Sequence, residues 1–312
     1  MNVNTSIQAP SSVIMVRPHF FAVNPETFDN AYQAKTPSTE NDALLAYDEL
    51  TKAAETLTAH GVTVHMFEGD NPKTPDCVFP NNWFSTHAGG HVAVYPMKAP
   101  NRRLERRPDI IDILKSDYRV QDILDYSGLE HDGLYLEGTG AMVLDHVDRI
   151  AYAAKSDRTS PIALERFCTH FNYEPMAFSA ADAQGRAVYH TNVLMCIATD
   201  FAIISGAMIQ NPERRLEVLA RLSQGGREII DLSENQIAHF AGNAIELQGE
   251  NGRILALSET ALNALTKGQK AIISKSATLV PLKIPTIELS GGSVRCTIAG
   301  IHLAARNPKA SL

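Results

Sequence analysis

The chain has 312 residues, 44% of them hydrophobic, with a net charge of −7 and an isoelectric point near 5.9. That is enough chain for one large core or two small ones. The acidic balance argues against a nucleic-acid partner, which calls for a basic face.

No basic segment followed by an apolar run opens MNVNTSIQAPSSVIMVRP, so no secretory leader is expected. The longest apolar region, 187–209, is broken by His190, Asp200 and Gly206 and cannot span a bilayer. Cys77, Cys168, Cys196 and Cys296 form no CxxC pair. Free thiols in a reducing, cytoplasmic setting are expected.

Taken in chain order, 12–18 reads as a strand. The stretch 39–61 reads as a long helix with Ala43, Tyr47, Leu50, Ala54 and Leu57 on one face, and 62–67 as a second strand. Residues 83–96 read as two short strands around a glycine turn. The run 102-RRLERR-107 by itself reads as the solvated face of a helix. Further strand pairs are predicted at 136–156, 189–206, 242–258 and 291–303. A helix and then a strand follow the first three of these: 159–171 with 174–180, 211–226 with 227–233, and 258–268 with 270–276. In the second of those helices Asn211 is an N-cap, Pro212 suits the first helical position, Gly225–Gly226 stops it, and Leu216, Leu219 and Ala220 supply the apolar face.

A repeat runs through these elements. Asn82, Glu137, His190, Asn243 and Cys296 each stand near the start of a strand pair, at intervals of 55, 53, 53 and 53 residues. The last pair has no helix after it, and the N-terminal strand, helix and strand would complete that unit and close a ring. Radial closure of this kind removes exposed sheet edges. It would also gather the five equivalent residues at one end of the hub.

Cysteine, histidine and glutamate brought together are the parts of nucleophilic catalysis. A thiolate attacks, an imidazole moves protons, and a carboxylate orients the imidazole or holds a substrate nitrogen. Arg295 beside Cys296 is read as favouring the thiolate, and the glycines of 291-GGSVR-295 let the backbone approach a ligand. His87 and His91 flank a glycine turn, which reads as exposed turn chemistry rather than a metal site. Cys77 is read as packing rather than as a second reactive thiol, Cys168 and Cys196 as core, and Trp83 as core ahead of a pocket wall. Asn243 either lines the pocket or serves the turn.

The motifs 136-LEGTG-140, 155-KSDRTS-160, 190-HTN-192 and 291-GGSVRC-296 resemble those of the guanidino-group-modifying superfamily. Arginine deiminase, dimethylarginine dimethylaminohydrolase and the amidinotransferases belong to it. Within it, 76-DCVFPNNWFSTH-87, 95-YPMKAPNRRLERR-107, 189-YHTNV-193 and 240-FAGN-243 look most like the citrulline-utilisation hydrolase branch. The resemblance implies a five-bladed α/β propeller of ββαβ units, the pentein fold, as one catalytic domain over 1–312 with its core at about 12–303. It implies Cys296 as nucleophile, His190 as general acid/base and Glu137 as the catalytic carboxylate. Arg158 and Arg102 match arginines that hold the substrate α-carboxylate, and Asp76 matches an acid that meets the α-ammonium. Asn81 and Asn82 fall among the substrate-binding positions. No cofactor or metal is implied. The partner is a small amino-acid substrate, and homo-oligomerisation is left open.

The departures are informative. Relatives acting on guanidinium carry acids where this chain has Asn82 and, in arginine deiminases, Asn192. Where those deiminases read Glu-Gly-Gly-Asp, this chain reads Glu137-Gly138-Thr139-Gly140. A buried cation needs anionic partners, whereas amides both donate to and accept from a neutral ureido group. The expected reaction is therefore hydrolysis of citrulline to ornithine, carbon dioxide and ammonia through an S-carbamoyl enzyme. Hydrolysis of arginine or a substituted arginine is the alternative, and a propeller that only binds is the alternative of another class.

Overall fold

The computed structural model describes residues 7–306 except 29, 31, 36 and 37. The first six residues of the stretch read for a leader lie outside those described. No described helix is long and apolar enough to cross a membrane.

Five three-stranded sheets follow one recipe: two antiparallel strands, a helical connection, then a third strand parallel to the second. The first is Phe84–His87, His91–Val94 and Asp122–Asp125, with the helix Pro108–Asp117 between its last two strands. The second is Val143–Asp145, Ile150–Ala154 and Glu174–Phe178 around the helix Pro161–Phe171. Next comes Met195–Ile197, Phe201–Ile204 and Glu228–Asp231 around Pro212–Gln224. The fourth is Ile245–Gly249, Gly252–Ser258 and Thr278–Leu282.

The fifth sheet closes the ring. Ala299–Gly300 pairs antiparallel with Ser12–Pro18, which runs parallel to Thr63–Gly69 after the helix Glu40–Ala59. The predicted strand pair at 291–303 is thus a single strand whose partner comes from the other end of the chain. Leading strands line the hub. Val143–Asp145 lies against Met195–Ile197, that strand against Ile245–Gly249, and Ala299–Gly300 against Phe84–His87. The protein is a five-bladed α/β propeller. Between blades, Arg227 grips the buried Asp145 carboxylate with Nη1 to Oδ2 at 2.5 Å and Nη2 to Oδ1 at 3.0 Å.

Three local expectations need correction. Residues 267–273, predicted as helix end and strand start, form a second helix, Lys267–Ile273, and the strand begins at Thr278. Thr266 Oγ1 caps the Gln269 amide there, in a capping box the β-branched run beside it obscures. In Pro212–Gln224 the Asn211 cap is present at 2.8 Å from Arg214 N, but the buried face is Val218 and Leu222 while Leu216 is exposed. The third is His87, which is not an exposed turn residue. It ends an inner strand, fully buried, with Ser85 Oγ at 2.7 Å from Nε2 and the Phe171 ring at 4.4 Å.

His87 belongs to a histidine–aromatic cluster with His146, Tyr173 and His302, the last stacked on His146 at 3.7 Å. Burial holds His87 and His146 well below the usual imidazole range, and His302 is lowered to about 4. The unfolded chain takes up these protons near pH 6.5 and the folded chain does not. Stability is therefore fully present above pH 6.5 and falls as pH drops from there toward 4. Thermal melts should lose several degrees over that window. His87→Phe, which cannot titrate, should flatten the slope; an unchanged slope would remove His87 as a source of the acid lability.

Candidate active site

Each repeat residue sits on a single helical turn just before an inner strand, or within two residues of one. Asn82 ends the turn Pro80–Asn82, Glu137 and His190 precede Gly138–Ala141 and Thr191–Leu194, and Cys296 lies within Val294–Thr297. Asn243 stands two residues before Ile245–Gly249. The turns face one another across one mouth of the hub. Around that mouth is a pocket of about 290 Å³ lined by Asp76, Asn82, Arg102, Arg158, His190 and Cys296, with Phe79 and Gly292 beside them. A larger crevice, about 620 Å³, opens elsewhere on the hub, lined by His146, Glu246 and Arg295 among others, without the thiol, the histidine of the repeat or its glutamate.

His190 Nε2 lies 2.8 Å from Glu137 Oε2, and Glu137 Oε1 accepts the Lys98 backbone N–H at 3.0 Å. Burial alone would raise the Glu137 carboxyl, but Arg158, His190 and Arg102 outweigh it and hold it well below the usual range. An ionised Glu137 assigns the proton to Nε2 and leaves Nδ1 as the basic nitrogen. Burial pulls the His190 imidazole below its usual value, countered in part by Glu137. Gly140 makes room for this ring. A Cβ there would lie 2.3 Å from Asn82 Nδ2 and 2.8 Å from His190 Nδ1.

The thiol receives two amide donors. Asn192 Nδ2 and Asn243 Nδ2 each lie 3.3 Å from Cys296 Sγ. Asn243 Oδ1 accepts the Arg295 backbone N–H at 3.0 Å, which settles which edge of that amide faces the sulfur. Asn192 Oδ1 is buried with no partner among the described residues. Arg295 does not turn toward the pocket; its Nη1 donates to Ile298 O at 2.9 Å and its side chain lines the other crevice. The remaining thiols, Cys77, Cys168 and Cys196, are buried and pushed up to about 12, chiefly by that burial.

Asn82 is oriented by Arg102, whose Nη1 donates to Asn82 Oδ1 at 2.8 Å. Arginine has no acceptor, so Oδ1 must face it; Nδ2 is turned toward Gly140, buried and with no partner among the described residues. Asn81 does not line the pocket. Its amide donates to Thr139 Oγ1 at 3.3 Å, and that hydroxyl donates to Asn81 O at 3.2 Å, tying the first blade to the second. Asp76 Oδ2 accepts Asn24 Nδ2 at 2.7 Å and Oδ1 is buried without a partner among the described residues; burial pushes this carboxyl up against the pull of Arg102. Arg158 Nη1 stands 3.8 Å from Glu137 Oε2, with its guanidinium 5.2 Å from the Tyr189 ring. Trp83 is 2% exposed and packs on Phe84 in the core. No group of three or more His, Cys, Asp or Glu among the described residues could hold a metal ion.

Over residues 17–303 the chain matches the family described as N,N-dimethylarginine dimethylhydrolase, eukaryotic. It belongs to that family. No curated protein matches it. Solved structures share the fold. One is the N-terminal domain of ArgZ, an arginine dihydrolase from the ornithine–ammonia cycle in cyanobacteria, in a cysteine-to-serine form bound to substrate. Its TM-score is 0.73 at 14% identity, covering 93% of this chain and 97% of that one. Unliganded AgrE gives 0.72 at 16% identity, covering 95% and 40%. The Pseudomonas aeruginosa DDAH complexed with citrulline gives 0.64 at 13% identity, covering 94% and 100%. As a family member the protein is a hydrolase of non-peptide carbon–nitrogen bonds in arginine-derived compounds.

Two participants of this site had no catalytic role assigned from sequence. Asn243 carried two signals, its spacing and the 240-FAGN-243 motif, and was read as lining the pocket or serving the turn. Glu105, in the run read as solvated, is 3% exposed and bonded to Arg102 through both oxygens. Asn243→Ala, which removes one of two donors to sulfur, should slow iodoacetamide alkylation of Cys296 at neutral pH and lower kcat by about tenfold, the scale of one lost hydrogen bond to a charged group. Unaltered alkylation would assign Asn243 to the turn alone.

Proposed function

We propose that the protein hydrolyses citrulline to ornithine, carbon dioxide and ammonia, with the whole chain acting as one catalytic unit. The observation that carries this reading is the pair of orphaned amide edges: Asn82 offers a donor, Nδ2, and Asn192 an acceptor, Oδ1. A neutral ureido group has the complementary edges, a carbonyl oxygen and N–H groups.

Cys296 thiolate attacks the ureido carbon, and the charge that develops on oxygen falls to a preorganised donor, Asn82 Nδ2. Asn192 Oδ1 holds an N–H. Glu137 keeps His190 in the tautomer that acts through Nδ1. Nδ1 takes up the proton that the Cys296 thiol loses on becoming the thiolate, and gives it to the δ-nitrogen as the carbon–nitrogen bond breaks and ornithine leaves. It then takes a proton from water, which attacks the S-carbamoyl carbon and releases the thiol and carbamate. Carbamate decomposes to carbon dioxide and ammonia. Arg158 and Asp76 offer a cation and an anion for the substrate's α-carboxylate and α-ammonium.

A second reading has its own observation. Three buried carboxylates, Asp76, Glu105 and Glu137, surround two guanidiniums, Arg102 and Arg158. That balance suits a cationic substrate such as arginine or a methylated arginine. Turnover of citrulline, arginine and dimethylarginine side by side separates the two. Citrulline should be hydrolysed with the highest kcat/KM; no release of ornithine from it would overturn the first reading.

A further inference from the structure

Within the turn Val294–Thr297 three residues are buried, and Arg295 alone stays partly exposed. Its side chain opens on the crevice of about 620 Å³. All five inner strands line that crevice, among them through Ser85, Leu144, Cys196, Glu246 and Gly300. It therefore lies on the hub axis, beyond the turns that carry the five repeat residues.

The Arg295 guanidinium is bonded only through Nη1, to Ile298 O at 2.9 Å, and makes no ion pair among the described residues. Nε and Nη2, two parallel N–H groups that match the oxygens of a carboxylate, are left open. Burial pulls this guanidinium below its ordinary value, and only the sulfurs of Cys296 and Cys196 oppose the shift. The acid in the crevice is committed elsewhere. Glu246 is 2% exposed, and its Oε2 accepts the Thr199 backbone N–H at 2.7 Å and the Thr199 hydroxyl at 2.6 Å. Its Oε1 stands 3.7 Å from Arg253 Nη1. Burial keeps the His146 and His302 rings neutral at pH 7, so Arg295 is the only cation among the described residues lining the crevice. A desolvated cation calls for an anion.

We propose that this crevice is a binding site for a planar oxyanion, a carboxylate or bicarbonate, held by Arg295 through Nε and Nη2, and that its occupation slows chemistry at Cys296. The site is linked to the thiol at two points. The Arg295 backbone N–H donates to Asn243 Oδ1 at 3.0 Å, and Asn243 Nδ2 lies 3.3 Å from Cys296 Sγ. The guanidinium also sets positive charge behind the sulfur, which helps it carry negative charge. An oxyanion on Nε and Nη2 cancels that charge.

Iodoacetamide alkylation of Cys296, followed through the mass of its peptide, reads the effect without any substrate. It therefore stands apart from the choice between citrulline and arginine. Formate and bicarbonate each replace chloride at constant ionic strength and pH. Both should slow alkylation saturably, by about threefold to tenfold, because chloride cannot span two N–H groups. The one that saturates at the lower concentration names the occupant.

Two variants decide where the anion sits. The response should vanish in Arg295→Gln and persist in Arg158→Lys, whose site is the substrate pocket. Arg295→Lys keeps the charge and loses the paired N–H groups, so it guards against a fold lost in Arg295→Gln. Its half-saturating concentration should rise by about tenfold or more, the scale of one charge-assisted hydrogen bond. An unchanged rate when chloride is replaced, a response that survives Arg295→Gln, or one lost in Arg158→Lys would each overturn the proposal.

Discussion

On the proposed reaction, serine at position 296 is expected to abolish turnover, with kcat falling by on the order of 10³-fold or more, while citrulline still binds. The reason is local. Sulfur is intrinsically the stronger nucleophile, and a hydroxyl is a weak one. Asn192 Nδ2 and Asn243 Nδ2, each 3.3 Å from sulfur, are placed to stabilise an anion on that atom. A serine oxygen has a shorter reach than sulfur and is un-ionised, so these donors cannot compensate. Ammonia and ornithine release measures the loss. Intact mass of enzyme quenched during turnover reports the intermediate, with a carbamoyl adduct on wild type and none on Cys296→Ser. Full activity in the serine variant would end the covalent scheme.

On the same proposal, aspartate at position 82 is expected to lower kcat/KM for citrulline by about 10- to 100-fold, the range in which one misplaced donor in a closed site is felt. The substitution is nearly isosteric, and Arg102, 2.8 Å from Asn82 Oδ1, would accept a carboxylate readily. Folding should survive. What changes is the pocket edge: Nδ2, a donor, becomes an oxygen that repels the charge developing on the ureido oxygen. Kinetics with citrulline and arginine in parallel check this, and the ratio should move toward arginine. Citrulline turnover that survives Asn82→Asp would remove the main argument for ureido over guanidinium chemistry.

The acid at 105 shows how far a local reading can mislead. In 102-RRLERR-107 charge density argues for solvent. In the folded chain, Arg102 and Glu105 are buried while Leu104 is exposed. Burial pushes the Glu105 carboxyl up to about 7 even with Arg102 opposing it. Nothing in six residues announces that a hub carrying Asn82 will fold against them. Leu216 misled in the same way, because a helix face is chosen by the sheet it packs on, not by its own apolar count.

The repeat, by contrast, was legible because it is geometric. A ββαβ unit of near-constant length returns the chain to the same height on the hub every 53 to 55 residues, so near-equal spacing in sequence becomes proximity in space. Sequence alone therefore determined the propeller, the closure of its last blade by the N-terminal strands, and the positions Asn82, Glu137, His190, Asn243 and Cys296. Which edge of each amide is left open was decided only by tertiary structure. An amide has two chemically opposite edges, and its neighbours choose between them, Arg102 for Asn82 and the Arg295 backbone for Asn243, while Asn192 turns Nδ2 to the Cys296 sulfur. Those neighbours lie 20, 52 and 104 residues away along the chain, beyond the reach of any local pattern.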